Sequence, residues 1–191
     1  MNEKRHDRRG FFREFVKRVV EPAVEALDTG AAAQPLVILR PPGALPEPNF
    51  LSSCERCRAC VEACPADAIR PIEVDGPLYG TPGIVASDQP CVVCTDLDCM
   101  TACPSGALRI LPREEIDLGT AIVDEDVCLR AKGEACRICV DFCPLGETAM
   151  RVDEKEKVAV LDGCVGCGVC EHVCPTSPKA VRIDPGVRLN V

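Results

Sequence analysis

Three features of this 191-residue chain predict an α+β fold of short strands and short helices wrapped around cysteine-rich loops. Sixteen cysteines fall into four runs of four, and an apolar and basic triplet follows each run. Aromatic side chains are scarce, with no Trp, one Tyr and five Phe. A core deprived of large rings must be filled by something else. Thiols this closely spaced point to inorganic centres held in the loops.

From the N-terminus, residues 10–28 (GFFREFVKRVVEPAVEALD) set Phe11, Phe12, Phe15, Val16, Val19, Val20, Ala23, Val24 and Leu27 at the spacing of one helical face. Residues 1–30 are therefore expected to form a basic amphipathic helix, with Pro22 kinking it or opening a second short helix. Its face suits an anionic membrane, a partner protein or the chain's own body. The stretch Asp7-Arg8-Arg9-Gly10-Phe11-Phe12-Arg13 resembles a twin-arginine export motif, and Ala31-Ala32-Ala33 would serve as a cleavage site. Glu14, Lys17, Arg18, Glu21 and Glu25 interrupt the apolar stretch that such a signal needs, so the expected location is cytoplasmic, with export as the alternative. Residues 31–50, with Pro35, Pro41, Pro42, Pro46 and Pro48, read as an extended linker.

Residues 51–191 are expected to be the cysteine domain. The first run is Cys54, Cys57, Cys60 and Cys64, followed by Pro65; the second is Cys91, Cys94, Cys99 and Cys103, followed by Pro104. The third is Cys128, Cys136, Cys139 and Cys143 before Pro144, and the fourth is Cys164, Cys167, Cys170 and Cys174 before Pro175. After each comes a short triplet: AIR at 68–70, ALR at 107–109, AMR at 149–151 and AVR at 180–182. GIVAS, TAIVD and VAVLD precede the last three runs and alternate like short strands. Each unit is thus expected to be a strand, a ligand loop, a helical turn and another strand.

The chemistry follows from the spacing. A run of the form CxxCxxCxxxCP supplies three thiolates to one iron–sulfur cube and sends its fourth to the other cube of a pair. A zinc ribbon has no place for a third and fourth cysteine in each run, and CxxC steps make poor disulfides. Sixteen thiols at four per cube give four 4Fe-4S clusters. No iron is left open for substrate, so no catalytic residue is expected and electron transfer is the expected use; clusters that only staple a small fold are the alternative. Arg56 and Arg58, in the first run, would favour reduction there; Asp96 and Asp98 would oppose it in the second, unless these charges are screened at the surface. Gly166 and Gly168 would let backbone approach closely. His172 is expected to be an ordinary surface histidine, with proton coupling to a cluster as the alternative, and His6 to be inert.

From about Cys54 to Pro185 the chain resembles the NapG/MauM group of ferredoxin-type proteins. The resemblance lies in GTPGIVASDQP, the widened CxxCxxxxCxxxCP of the second run, CLRAKGEACRICVDFCP and GCVGCGVCEHVCP. It implies two nested dicluster-ferredoxin-like units, the outer formed by 51–75 with 157–191 and the inner by 84–153. Its cluster sets would be Cys54, Cys57, Cys60 with Cys174; Cys164, Cys167, Cys170 with Cys64; Cys91, Cys94, Cys99 with Cys143; and Cys128, Cys136, Cys139 with Cys103. The spacing leaves sequential pairing of neighbouring runs open.

The resemblance further implies a non-catalytic carrier that relays single electrons between a quinol dehydrogenase or reductase and a partner oxidoreductase. A membrane quinol-oxidising protein would be met through the N-terminal helix. A maturation factor for a partner enzyme and a redox sensor are the rival readings. The net charge of -8 argues against nucleic acid, and no run of eighteen apolar residues exists to span a membrane as a helix.

Overall fold

The structure, a computed structural model, describes residues 37–185. They belong to the compact unit running from Leu36 to Val191. The expected N-terminal helix, the export-like motif and His6 lie outside the described residues. The fold is α+β, with seven strands of two to four residues and five helices of four to seven, among the described residues. Strand β1 is Ile38–Leu39, α1 is Glu47–Ser53, α2 is Ala59–Glu62, β2 is Arg70–Pro71, β3 is Pro82–Val85 and α3 is Asp98–Thr101. Then follow β4 at Thr120–Val123, α4 at Ile138–Asp141, β5 at Met150–Val152, β6 at Val158–Val160, α5 at Val169–Val173 and β7 at Val181–Asp184.

These elements make two similar halves, each closed by pairing its entering segment with its leaving one. In the second half β4 lies antiparallel to β7, Thr120 opposite Asp184 and Val123 opposite Val181, while β5 and β6 form a hairpin between runs three and four. In the first half the entering segment is shorter. Ala44 bridges Leu108, the Leu45 N–H donates to the Ala107 carbonyl at 3.0 Å, and the Arg109 N–H donates to the Gly43 carbonyl at 2.8 Å. Strand β3 joins β2 on one side and β1 on the other, both antiparallel. Helix α2 packs near α3, and α4 near α5, so each half holds two consecutive runs. The nested arrangement is thereby overturned: 51–75 does not form a unit with 157–191, because the strand pairs tie residue 44 to 108 and 123 to 181.

The proline-rich stretch is also not a free linker where it is described. Pro41 and Pro42 are fully buried, β1 lies in a sheet, and Phe50 is fully buried on α1. Proline costs a helix little before it begins or in its first turn, where the N–H has no intrahelical partner. Pro46 is the N-cap of α1 and Pro48 stands in its first turn. The segment is fastened by Arg40. Its guanidinium pairs with the Glu47 carboxylate at 2.6 Å, donates to Thr81 Oγ1 at 2.9 Å and the Pro82 carbonyl at 2.7 Å, and stacks over the Phe50 ring at 4.4 Å.

Candidate iron–sulfur sites

None of the sixteen cysteines is in a disulfide. They gather instead around four cavities, four thiols to each. The first is lined by Cys54, Cys57, Cys60 and Cys103, and the second by Cys64, Cys91, Cys94 and Cys99. The third is lined by Cys128, Cys136, Cys139 and Cys174, and the fourth by Cys143, Cys164, Cys167 and Cys170. We call them sites one to four after the run that gives three of the thiols. The crossing thiol thus comes from the neighbouring run of the same half. Cys103 stands where nesting would put Cys174, Cys64 meets run two, Cys143 meets run four, and Cys174 meets run three. The physical reason is strand pairing: each half closes before the other begins, so a fourth cysteine reaches only the loop across its own half.

The donor chemistry fits a polynuclear cluster. The four cavities contain about 380, 340, 320 and 300 Å³ of empty space for sites one, two, three and four, part of it open to solvent. Among the described residues no three His, Cys, Asp or Glu side chains converge tightly enough for one metal ion. A cube with a metal at each of four corners satisfies both facts, since each corner takes one thiolate. Apart from the thiols the walls are largely apolar; Leu97 and Ile84 belong to site two, and Leu145 and Ile183 to site four.

Burial and mutual repulsion hold several thiols protonated in the absence of a compensating cation. Burial pushes Cys60 up to about 11, with Cys103 and Cys54 adding to it. Cys99 is pushed up to about 12 by burial, then by Cys91, Cys94 and Cys64. Cys139 rises to about 11 through burial, then Cys128, Cys136 and Cys174. Cys170 is raised further by burial and by Cys167 and Cys164. Two crossing thiols behave oppositely. Burial pushes Cys103 up, but the Leu108 N–H at 3.4 Å and the Ser105 hydroxyl outweigh it. Burial likewise acts on Cys174 and is outweighed by the Thr176 hydroxyl, 3.2 Å from its sulfur, and nearby backbone N–H groups.

Sites two and four adjoin across the boundary between halves. The Cys91 N–H donates to the Cys167 carbonyl at 3.1 Å. Burial pushes Cys91 up to about 12; the Val93 N–H lowers it, and Cys167 stands first among the thiols that raise it. Gly166 permits a close contact within the second half and Gly168 one across the boundary. Their φ values are +67° and +89°, and a Cβ on them would lie 2.4 Å from the Gly119 carbonyl oxygen and 2.3 Å from Ala86 Cβ respectively. At Gly168 the close approach is thus made to the first half, and at Gly166 to the segment that enters its own half.

His172 is exposed and its Nδ1 donates to the Ser87 carbonyl at 3.1 Å, another tie between the halves. Arg56 lines site one, and its guanidinium donates to the carbonyls of Tyr79 at 3.0 Å and Pro77 at 3.1 Å. Arg58, Asp96 and Asp98 are exposed to screening. Sequence reasoning missed Ser105 and Thr176. Their signal was a hydroxyl two positions after the last cysteine of runs two and four, where runs one and three carry Ala66 and Leu145.

Comparison with known proteins agrees with this division. The family model described as a 4Fe-4S dicluster domain matches residues 53–107, and a second model of the same description matches 120–175. The methylamine utilization ferredoxin-type protein MauM of Methylorubrum extorquens is 48% identical over 120 residues, 60% of this chain and 54% of that protein. MauM of Methylophilus methylotrophus is 39% identical over 165 residues, 81% of this chain and 73% of that protein. The ferredoxin-type protein NapG of Escherichia coli is 38% identical over 154 residues, 76% of this chain and 67% of that protein. The chain spans about half the length of the first of these relatives.

Proposed function

Because the chain belongs to the MauM/NapG family of ferredoxin-type proteins, we propose that it holds four 4Fe-4S clusters, one per site, and relays single electrons between a donor and a partner oxidoreductase. Each cluster, when bound, takes up and gives back one electron. The observation that carries the reading is the grouping of all sixteen thiols into four fours, with none to spare.

The chain's own residues set how the sites adjoin. Cys60 and Cys64, on and just after α2, serve sites one and two; Cys139 and Cys143, on and just after α4, serve sites three and four. Cys91 and Cys167 join site two to site four. The sites therefore adjoin in the order one, two, four, three. Cys57 of site one is exposed, and so are residues 132–135 in the loop between Cys128 and Cys136 of site three. Sites one and three are thus the ends that face partner proteins. The donor is a quinol dehydrogenase or cytosolic reductase, and a membrane quinol-oxidising donor would be met through the N-terminal segment. Among the described residues no helix is long and apolar enough to cross a membrane.

The test is anaerobic purification of the full chain, iron and sulfide counting, and an EPR-monitored titration, followed by turnover between a reduced dehydrogenase and an acceptor enzyme. About sixteen irons with turnover supports the relay. Tight binding to an immature enzyme without turnover would mean a maturation role. Binding lost on oxidation, without flux, would mean a sensor.

A further inference from the structure

The four crossing cysteines are equivalent in sequence, each standing before a proline, yet two of them receive a side-chain hydrogen bond and two do not. Thr176 Oγ1 lies 3.2 Å from Cys174 Sγ. The same oxygen accepts the Ala180 N–H at 2.8 Å, so the hydroxyl proton is left to point at sulfur. Ser105 repeats the arrangement more loosely, 3.6 Å from Cys103 Sγ while accepting the Ala107 N–H at 3.4 Å. At the matching positions of the other two, Ala66 and Leu145 have no donor to offer. The nearby Thr148 hydroxyl donates to the Leu145 carbonyl at 2.7 Å instead of to Cys143.

We propose that Ser105 and Thr176 are tuning residues whose hydroxyls raise the reduction potentials of sites one and three, the two end sites. The inference rests on the four-cluster reading above. Adding an electron to a cluster increases the negative charge on its thiolate sulfurs, and a donated proton stabilises that added charge. Sites two and four, completed by Cys64 and Cys143, lack the hydroxyl. An electron given to this chain by dithionite or by a donor protein therefore rests at an end site in preference to the two sites between. Leu108 adds a backbone N–H to Cys103 at 3.4 Å, which side-chain replacement leaves in place.

The experiment is an EPR-monitored titration with dithionite of the full chain, anaerobically loaded, as wild type, Thr176→Val, Thr176→Ser, Ser105→Ala and Ala66→Ser. Thr176→Val is expected to make one wave about tenfold harder to reduce, which is about 59 mV for a one-electron couple. Ser105→Ala is expected to move a different wave, by less, in the same direction. Thr176→Ser should return the first wave toward its wild-type position, which a merely structural role for the threonine would not require. Ala66→Ser should make a third wave easier to reduce. If Thr176→Val or Ser105→Ala fails to hold iron, the Thr176→Ser and Ala66→Ser waves decide the matter. With a full iron count, waves that stay in place, move together or move upward on removing the hydroxyl overturn the inference. A wild-type count well short of about sixteen irons instead overturns the four-cluster reading on which it stands.

Discussion

Replacing Gly168 with alanine tests the junction between halves directly. The residue sits at φ +89°, and its new Cβ would lie 2.3 Å from Ala86 Cβ and 3.2 Å from Ala86 Cα. Carbon atoms rest at about 3.5–4.0 Å, so run four must draw back from residues 86–90 by more than an ångström. A left-handed backbone costs a non-glycine residue about 1–2 kcal/mol, and overpacking typically adds about 1–3 kcal/mol. The expected loss is therefore about 2–5 kcal/mol. Gly106 and Gly133 supply the control. They too have positive φ, +71° and +91°, but a Cβ on either meets nothing within 4 Å, so alanine there costs only the backbone share. The assay is the midpoint of thermal loss of visible cluster absorption, with the EPR spectrum of the fully reduced protein reporting magnetic coupling between sites. Gly168→Ala should lower the midpoint well beyond Gly106→Ala and weaken the coupling. Adding Ala86→Gly should recover the packing share and leave the backbone share. Equal midpoints for Gly168→Ala and Gly106→Ala would refute the close approach.

Three further outcomes follow from the sites and the buried ion pair. Cys103→Ala should cost up to about four of about sixteen irons, and mass-spectrometric mapping with an alkylating reagent should find Cys54, Cys57 and Cys60 newly reactive; labelling of Cys128, Cys136 and Cys139 instead would restore the nested pairing. Arg40→Met leaves the Glu47 carboxylate without its partner at only 18% exposure, for a thermal destabilisation of about 2–4 kcal/mol, most of which Arg40→Met with Glu47→Leu should regain. Burial pushes the Glu171 carboxyl up, against the Ile183 N–H that it accepts at 2.9 Å. The folded state then holds this proton more tightly than the unfolded one, so the contribution to stability is greatest below the ordinary carboxylate pKa and falls as pH rises through the raised value. Glu171→Gln should accordingly gain on wild type in thermal midpoint as pH rises from the ordinary carboxylate pKa of about 4 to neutrality.

Much of this architecture was written in local sequence. The cysteine runs announce their chemistry because three ligands within seven to twelve residues need no distant partner to be recognised. GIVAS, TAIVD and VAVLD became β3, β4 and β6 because alternation is itself a local property. The crossing thiols were different. Whether Cys64 meets run two or run four depends on which strands pair, and the decisive contacts join Ala44 to Leu108 and Thr120 to Asp184, more than sixty residues apart. No spacing within a run carries that information. The prolines misled for a related reason: their number says how many N–H groups are missing, but not whether those positions needed one. Pro46 and Pro48 fall at the start of a helix, where the donor would have gone unused. The Arg40–Glu47 pair was invisible because its partners, Thr81 and Pro82, arrive from the far hairpin.

In each half the backbone comes home: it departs beside the point at which it came in. A segment built this way is a cassette. Another copy spliced between Pro112 and Asp117 would need no rethreading of its neighbours, so the reach of such a conductor is set by how many cassettes are strung together, and gene duplication lengthens it in whole increments.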